Sequence, residues 1–267
     1  MRLMCVGAHP DDCDLRAAGL ACIYIERGGQ VLFVSLTNGN AGHHQMAPAA
    51  LARRRKEEAR RAGEVIGAEY RVLDHDDARL TASVEVREEL IGIIRRFGPD
   101  LLLGPRPFDY HADHRAAGTL VADASYLLTV PLVRPDVPGM RRMPVICYTS
   151  DGFTRPLPFQ ADVVVDVDAH ADKKLRMVAC HESQVYEWLP YNGSYEGEVP
   201  ADPEGRQRWM AERYGARWAR VADTYRQKLA ERYGPERGGR VRFAEAFEIC
   251  EYGRRPDAEL LAQLFPE

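Results

Sequence analysis

Apolar positions along the chain fall into short solid blocks separated by longer amphipathic stretches. Leu3-Met4-Cys5-Val6-Gly7-Ala8 is apolar throughout, so residues 2–8 read as a strand, and Val31 to Leu36 repeats the pattern. Continuous apolarity, rather than alternation, marks strands covered on both faces. Further strands read at Tyr70 to Leu73, Asp100 to Gly104 and Val145 to Tyr148. Between them the pattern predicts helices over 15–28, 48–67, 83–97 and 114–129. Gly28-Gly29 closes the first; Pro48 lies near the start of the second and Gly67 near its end.

Later segments are less regular. Residues 151–170 read as an extended hairpin, on the alternation through Ala161-Asp162-Val163-Val164-Val165-Asp166-Val167. A helix over 169–182 follows, then a long loop over 186–208 rich in Gly, Pro, Tyr and Trp, a helix over 209–233 and a final strand over 241–249. Repeated strand–helix–strand order predicts an α/β fold with a mostly parallel sheet and helices on both faces. No internal repeat or low-complexity linker interrupts it, so one domain over 1–267 is expected.

Composition narrows the classes. The chain has 267 residues, 45% of them hydrophobic, and a net charge of −4, which argues against nucleic acid or an acidic membrane surface as partner. Basic clusters such as Arg53-Arg54-Arg55-Lys56 are followed by Glu57 and Glu58, as on a solvated helix face. Apolar stretches fall well short of the roughly 20 residues a membrane helix needs. A strand begins at once, leaving no room for a signal peptide. Six cysteines without a CxxC pair fit free thiols in a reducing compartment, so a cytoplasmic protein is expected.

The chemistry concentrates at two strand ends. His9-Pro10-Asp11-Asp12 follows the first strand, and Asp109-Tyr110-His111-Ala112-Asp113-His114 follows the strand at 100–104. In open α/β sheets ligands bind outside the C-terminal strand ends. His9, Asp12 and either His111 or His114 therefore reach one place. Two histidines and a carboxylate with an open position make a catalytic zinc set, though other divalent ions suit it as well. Asp11 remains as a spare base, which points to hydrolysis. HPDD alone would be a turn and HADH alone a helix cap. Following two strands of one sheet, they are better read together.

AHPDD (8–12), TNGNAGHH (37–44), DYHADHRAAG (109–118) and HESQ (181–184) resemble the motifs of the PIG-L/LmbE-like N-acetylglucosaminyl deacetylases. The resemblance implies a Rossmann-like fold, a zinc ion held by His9, Asp12 and His114, and deacetylation of an N-acetylated sugar. It also implies Asp11 as general base and His111 as oxyanion stabiliser or acid. Asp113 is expected either as the charge partner of a His111 imidazolium or as the group orienting a ligand histidine. A homo-oligomer, trimer or hexamer, is likewise implied. Asp14 and Arg16 depart from the pattern, which has Glu and Gly there.

Candidate substrate contacts are Asn38 and His44 in the glycine-containing loop, Arg55 in an RxxE pattern with Glu58, and Tyr110 beside His111. The 186–208 loop, with Tyr186, Trp188, Tyr191 and Tyr195, is expected to carry specificity by stacking on sugars or by forming a subunit interface. Two alternatives stand beside the deacetylase: an amidase for a larger acyl group, and a non-catalytic sugar-binding protein. No GxGxxG follows the first strand, which disfavours a dinucleotide.

Overall fold

The computed structural model describes residues 1–267. Solid apolarity in the first strand has a direct consequence. In β1 (Arg2–Gly7), Leu3 and Cys5 enter one core layer, while Met4 and Val6 enter the other. β1 is therefore sandwiched, and the chain alternates strands and helices around it: α1 (Asp12–Glu26), β2 (Gln30–Thr37), α2 (Pro48–Glu64), β3 (Glu69–His75), α3 (Val84–Phe97), β4 (Leu101–Gly104), α4 (Ala112–Leu127) and β5 (Val145–Thr149). These five strands are parallel, and β3 is the half-exposed edge.

β6 (Val163–Asp166) and β7 (Ala244–Ile249) complete one seven-stranded sheet in the order β3-β2-β1-β4-β5-β7-β6, β7 running antiparallel to both neighbours. Strand order reverses between β1 and β4, where a crevice opens at the C-terminal edge. α1 and α5 (Ala171–Ala179) cover one face of the sheet; α3 and α4 cover the other. No helix is long and apolar enough to cross a membrane.

Three expected elements differ. The hairpin at 151–170 is absent: only Val163–Asp166 is a strand, and its partner is β7, some 80 residues on in the chain. Alternation showed a strand there but could not show its neighbour. Much of the 186–208 loop is helical. A π-helical turn spans Ser183–Trp188, α6 spans Leu189–Asn192, and α7 (Pro203–Thr224) starts inside the expected loop behind an Asp202 cap. The helix expected over 209–233 breaks at Tyr225, with α8 (Arg226–Tyr233) beyond it.

α1 carries the first half of the site, and it is pinned from below. The Glu245 carboxylate of β7 accepts from the Gly19 and Leu20 N–H groups at 2.8 and 2.9 Å and from Lys174 Nζ at 2.5 Å, all buried. Lys174 also lies 4.4 Å from the Trp218 ring. Glu245→Ala leaves a buried ammonium without its partner and should destabilise the fold by about 3–5 kcal/mol in urea unfolding. The double change Glu245→Gln with Lys174→Met, which removes the orphaned charge, should cost less. Equal losses would show that the pair contributes only packing.

Candidate metal centre and active site

α1 begins at Asp12, earlier than the pattern of apolar positions suggested, because the His9-Pro10-Asp11 turn folds straight back. The Asp11 N–H bonds to the His9 carbonyl at 2.8 Å. Asp12 Oδ2 then accepts from the Ala8 and His9 N–H groups at 2.8 and 2.9 Å. A Cβ on Gly7 would lie 2.6 Å from the Asp12 Cβ, so glycine is required by that approach. Asp12 Oδ1 is left facing out.

On β4's side, Asp109 Oδ1 accepts from the His111 N–H at 2.8 Å and from His114 Nδ1 at 3.0 Å. His114 thus carries its proton on Nδ1 and presents the Nε2 lone pair. His9 is fixed in the opposite sense: its Nε2 faces Asp77 Oδ1 at 3.0 Å and Asp113 Oδ2 at 3.3 Å, so its Nδ1 turns to His114 and is open to a proton or a cation. These atoms converge. His9 Nδ1 and His114 Nε2 are 3.1 Å apart, and His114 Nε2 is 3.5 Å from Asp12 Oδ1. Ligands of a tetrahedral ion at about 2.1 Å stand about 3.4 Å from one another. The donor set fits a small divalent cation.

Electrostatics points the same way. Burial alone would keep His9 neutral, but hydrogen bonds to Asp113 and Asp77 and the charge of Asp12 overcome it and raise the ring to about 10. Burial also works against the Asp12 carboxylate, and His114 and His9 outweigh it, holding Asp12 at about 2. Lone pairs and carboxylates packed this tightly demand a positive charge among them.

His111 and His114 differ in hydrogen bonding in a way that spacing could not reveal. His111 caps α4, its Nδ1 accepting the Asp113 N–H at 3.1 Å. In a neutral ring its Nε2 then bears the proton and acts as a donor, although His9, His111 and His114 also bring ring nitrogens within 4.8 Å of one another. For the same reason the expected imidazolium does not fit, since a proton on Nδ1 would meet that N–H. Burial and the nearby His9 and His114 also lower its pKa. Nor does Asp113 partner His111. It is fully buried, accepts the Ala78 and Leu80 N–H groups at 2.7 and 3.2 Å, and faces His9. His9, Asp77 and Asp113 also bring three donor atoms together, but His9 offers them its N–H.

The remaining expected residues divide. Asp11 lies at the rim, its Oδ2 3.2 Å from Nη2 of the buried Arg55. Arg55 packs under Gly39, whose φ of +67° and lack of Cβ admit the guanidinium. It thus orients Asp11 rather than reaching into solvent. Tyr110 stands 76% exposed at the mouth, its ring edge-on to His111 and His114. Asn38 is buried, with Nδ2 donating to Asp74 and Oδ1 accepting the Asn40 N–H. It ties its loop to the end of β3 and keeps one N–H and one lone pair unused.

His44 stacks on Tyr191 at 3.8 Å and on His43, and Tyr191 also faces Trp188. The stack covers part of these rings, and His44 and Tyr191 remain exposed. Glu187 holds this wall by accepting from both Arg54 and His43. Asp77, in the segment after β3 that the sequence places at the pocket, and Asp109, in the DYHADH cluster, turn out to be the histidines' carboxylate partners. The signal available was a carboxylate near each ligand histidine, the usual partner of a metal-bound imidazole.

Known proteins share the chain's sequence and fold. The PIG-L family (GlcNAc-PI de-N-acetylase) matches residues 4–125. The diacetylchitobiose deacetylase of Thermococcus kodakarensis is 30% identical over 205 residues, 71% of this chain and 74% of that protein. A 4-oxalmesaconate hydratase of Pseudomonas putida is 26% identical over 194 residues, 70% and 75% of the two chains. The fold is shared with the N,N'-diacetylchitobiose deacetylase of Pyrococcus horikoshii, at a TM-score of 0.72 and 22% identity over 97% of this chain and 88% of that one. The chain belongs to the PIG-L family.

Proposed function

We propose that the protein is a zinc-dependent deacetylase that hydrolyses the acetamide of an N-acetylated amino sugar or its conjugate. The observation that carries this reading is the approach of His9 Nδ1 and Asp12 Oδ1 to His114 Nε2, at 3.1 and 3.5 Å, beside a spare carboxylate. Those three residues would hold the ion. A zinc so held lowers the pKa of its water to about 7 and polarises a carbonyl.

The protein's own groups supply the rest. Asp11, steered by Arg55 at 3.2 Å, takes the proton of the attacking water. His111 donates its Nε2–H to the carbonyl oxygen as that oxygen becomes anionic, its ring locked by the Asp113 N–H. When the C–N bond breaks, the proton held by Asp11 passes to the departing nitrogen. Acetate and a free amine result, with one water consumed. Asp77, Asp113 and Asp109 position the two histidines and touch no reacting atom. Tyr110 at the mouth is placed to meet the sugar.

The same reading treats 1–267 as one catalytic unit with specificity carried by the rim at 186–208. It makes the enzyme cytoplasmic, a view supported by six unpaired cysteines, five of them buried. It takes the assembly, trimer or hexamer, from the family resemblance.

Acetate release from N-acetylglucosamine conjugates should stop on chelation and return with zinc. Asp11→Asn should keep the metal content, measured by elemental analysis, and lower kcat by about 10²–10⁴-fold. Metal-loaded protein that releases acetate from no conjugate would overturn the deacetylase reading. Full activity in Asp11→Asn would overturn the assignment of the base.

The chelated protein carries its own signature. His9 titrates at about 10 when folded against 6.5 when exposed, so the stability it adds is complete below pH 6.5 and is lost as pH rises toward 10. Urea unfolding of the chelated protein should show this decline, and Asp113→Asn should flatten it. A flat profile in the unsubstituted protein would mean that His9 is not held by these carboxylates.

A further inference from the structure

Two guanidinium groups line the crevice between the ends of β1, β4 and β5, next to Asp12 and His114. Arg106 is fully engaged. Its Nε and Nη2 hold both oxygens of Asp151 at 2.7 Å each, and its remaining N–H groups reach the Leu157 and Phe153 carbonyls. Arg16 is not. From the second turn of α1 it makes one hydrogen bond, Nη1 to the Ser150 carbonyl at 2.6 Å. It forms no ion pair within 4.0 Å.

The acids of the crevice are committed elsewhere. Asp109 is bonded to His114 and His111, Asp151 to Arg106, and Asp12 belongs to the metal set. An anion entering here meets one positive charge with no partner. The Ser150 carbonyl fixes one arm of that group and leaves Nε and Nη2 for a two-point contact, the geometry a carboxylate matches. The crevice is partly open and lined almost wholly by polar and charged residues, so a charged head group can enter it.

We propose that Arg16 makes this crevice a carboxylate subsite, and that the substrate is an N-acetylated sugar conjugate bearing a carboxylate. The chemistry of the substrate rests on the deacetylase reading; the binding of a carboxylate does not. A carboxylate could also reach the crevice as the acetate released by the reaction, and the experiment separates the two sources.

The metal-loaded enzyme is assayed with an N-acetylglucosamine conjugate carrying a free carboxylate and with its methyl ester. The carboxylate should be preferred about tenfold in kcat/KM, chiefly through KM. Arg16→Gly should bring the ratio near one and Arg16→Lys should keep part of it, with melting temperatures confirming that both variants fold. Calorimetric titration of the same pair into metal-loaded Asp11→Asn, with and without Arg16→Gly, reads binding without turnover. Should neither conjugate be hydrolysed while the binding preference persists and depends on Arg16, the deacetylase reading fails and the subsite stands. Equal binding of acid and ester, or a preference that survives Arg16→Gly, overturns the subsite whether or not acetate is released. If ¹³C-acetate broadens in the presence of the unsubstituted enzyme but not Arg16→Gly, and the pair shows no preference, the crevice holds the product and the substrate proposal is overturned.

Discussion

Asp12 Oδ2 closes on the Ala8 and His9 N–H groups within a turn that leaves no room for a side chain at residue 7. That contact fixes three things together. It ends β1, starts α1 with a carboxylate at its positively polarised N-terminus, and aims Asp12 Oδ1 and His9 Nδ1 at one point. The tether is short enough that neither residue can reorient alone. Only one more donor was then required, and β4, the neighbour of β1 across the reversal in strand order, delivers His114.

Around this point the structure spends buried polar groups to set proton positions. Asp77 and Asp113 claim His9 Nε2, Asp109 claims His114 Nδ1, and a backbone N–H claims His111 Nδ1. The three rings are chemically alike, yet two are left as lone-pair donors and one as a proton donor. Burying so many carboxylates would destabilise an ordinary core. Here they are compensated by backbone N–H groups and by the cation that the geometry suits, the kind of local cost that marks a functional site.

The rim is more rigid than its composition suggests. The Gly, Pro, Tyr and Trp content of 186–208 reads as a long loop, but a π-helical turn, the Glu187 contacts and a run of stacked rings make a wall. Its stacked rings are held in place yet partly exposed, and the crevice on the other side holds Arg16, which has no ion pair within 4.0 Å. Shape on one side and charge on the other divide the recognition of a ligand between them.

How much was legible in the chain follows from range. The apolar blocks at 2–8, 31–36 and 100–104, and HPDD and HADH after two of them, depend on neighbours within a few residues. Local periodicity and steric preference therefore showed the parallel sheet and the two strand ends that carry the chemistry. Choosing between His111 and His114 as the lone-pair donor depended on which nitrogen each ring gives to Asp109 or to the Asp113 N–H, and no spacing contains that. Asp113 takes the second of its two expected roles, orienting His9, and Asn38 ties its loop to β3, because their partners are brought in from other segments. The pairing of β6 with β7, the packing of Tyr191 on His44 and the isolation of Arg16 are likewise long-range outcomes. Local pattern along the chain names the groups able to do the chemistry; which of their atoms face the site follows from hydrogen-bond partners that distant segments bring together.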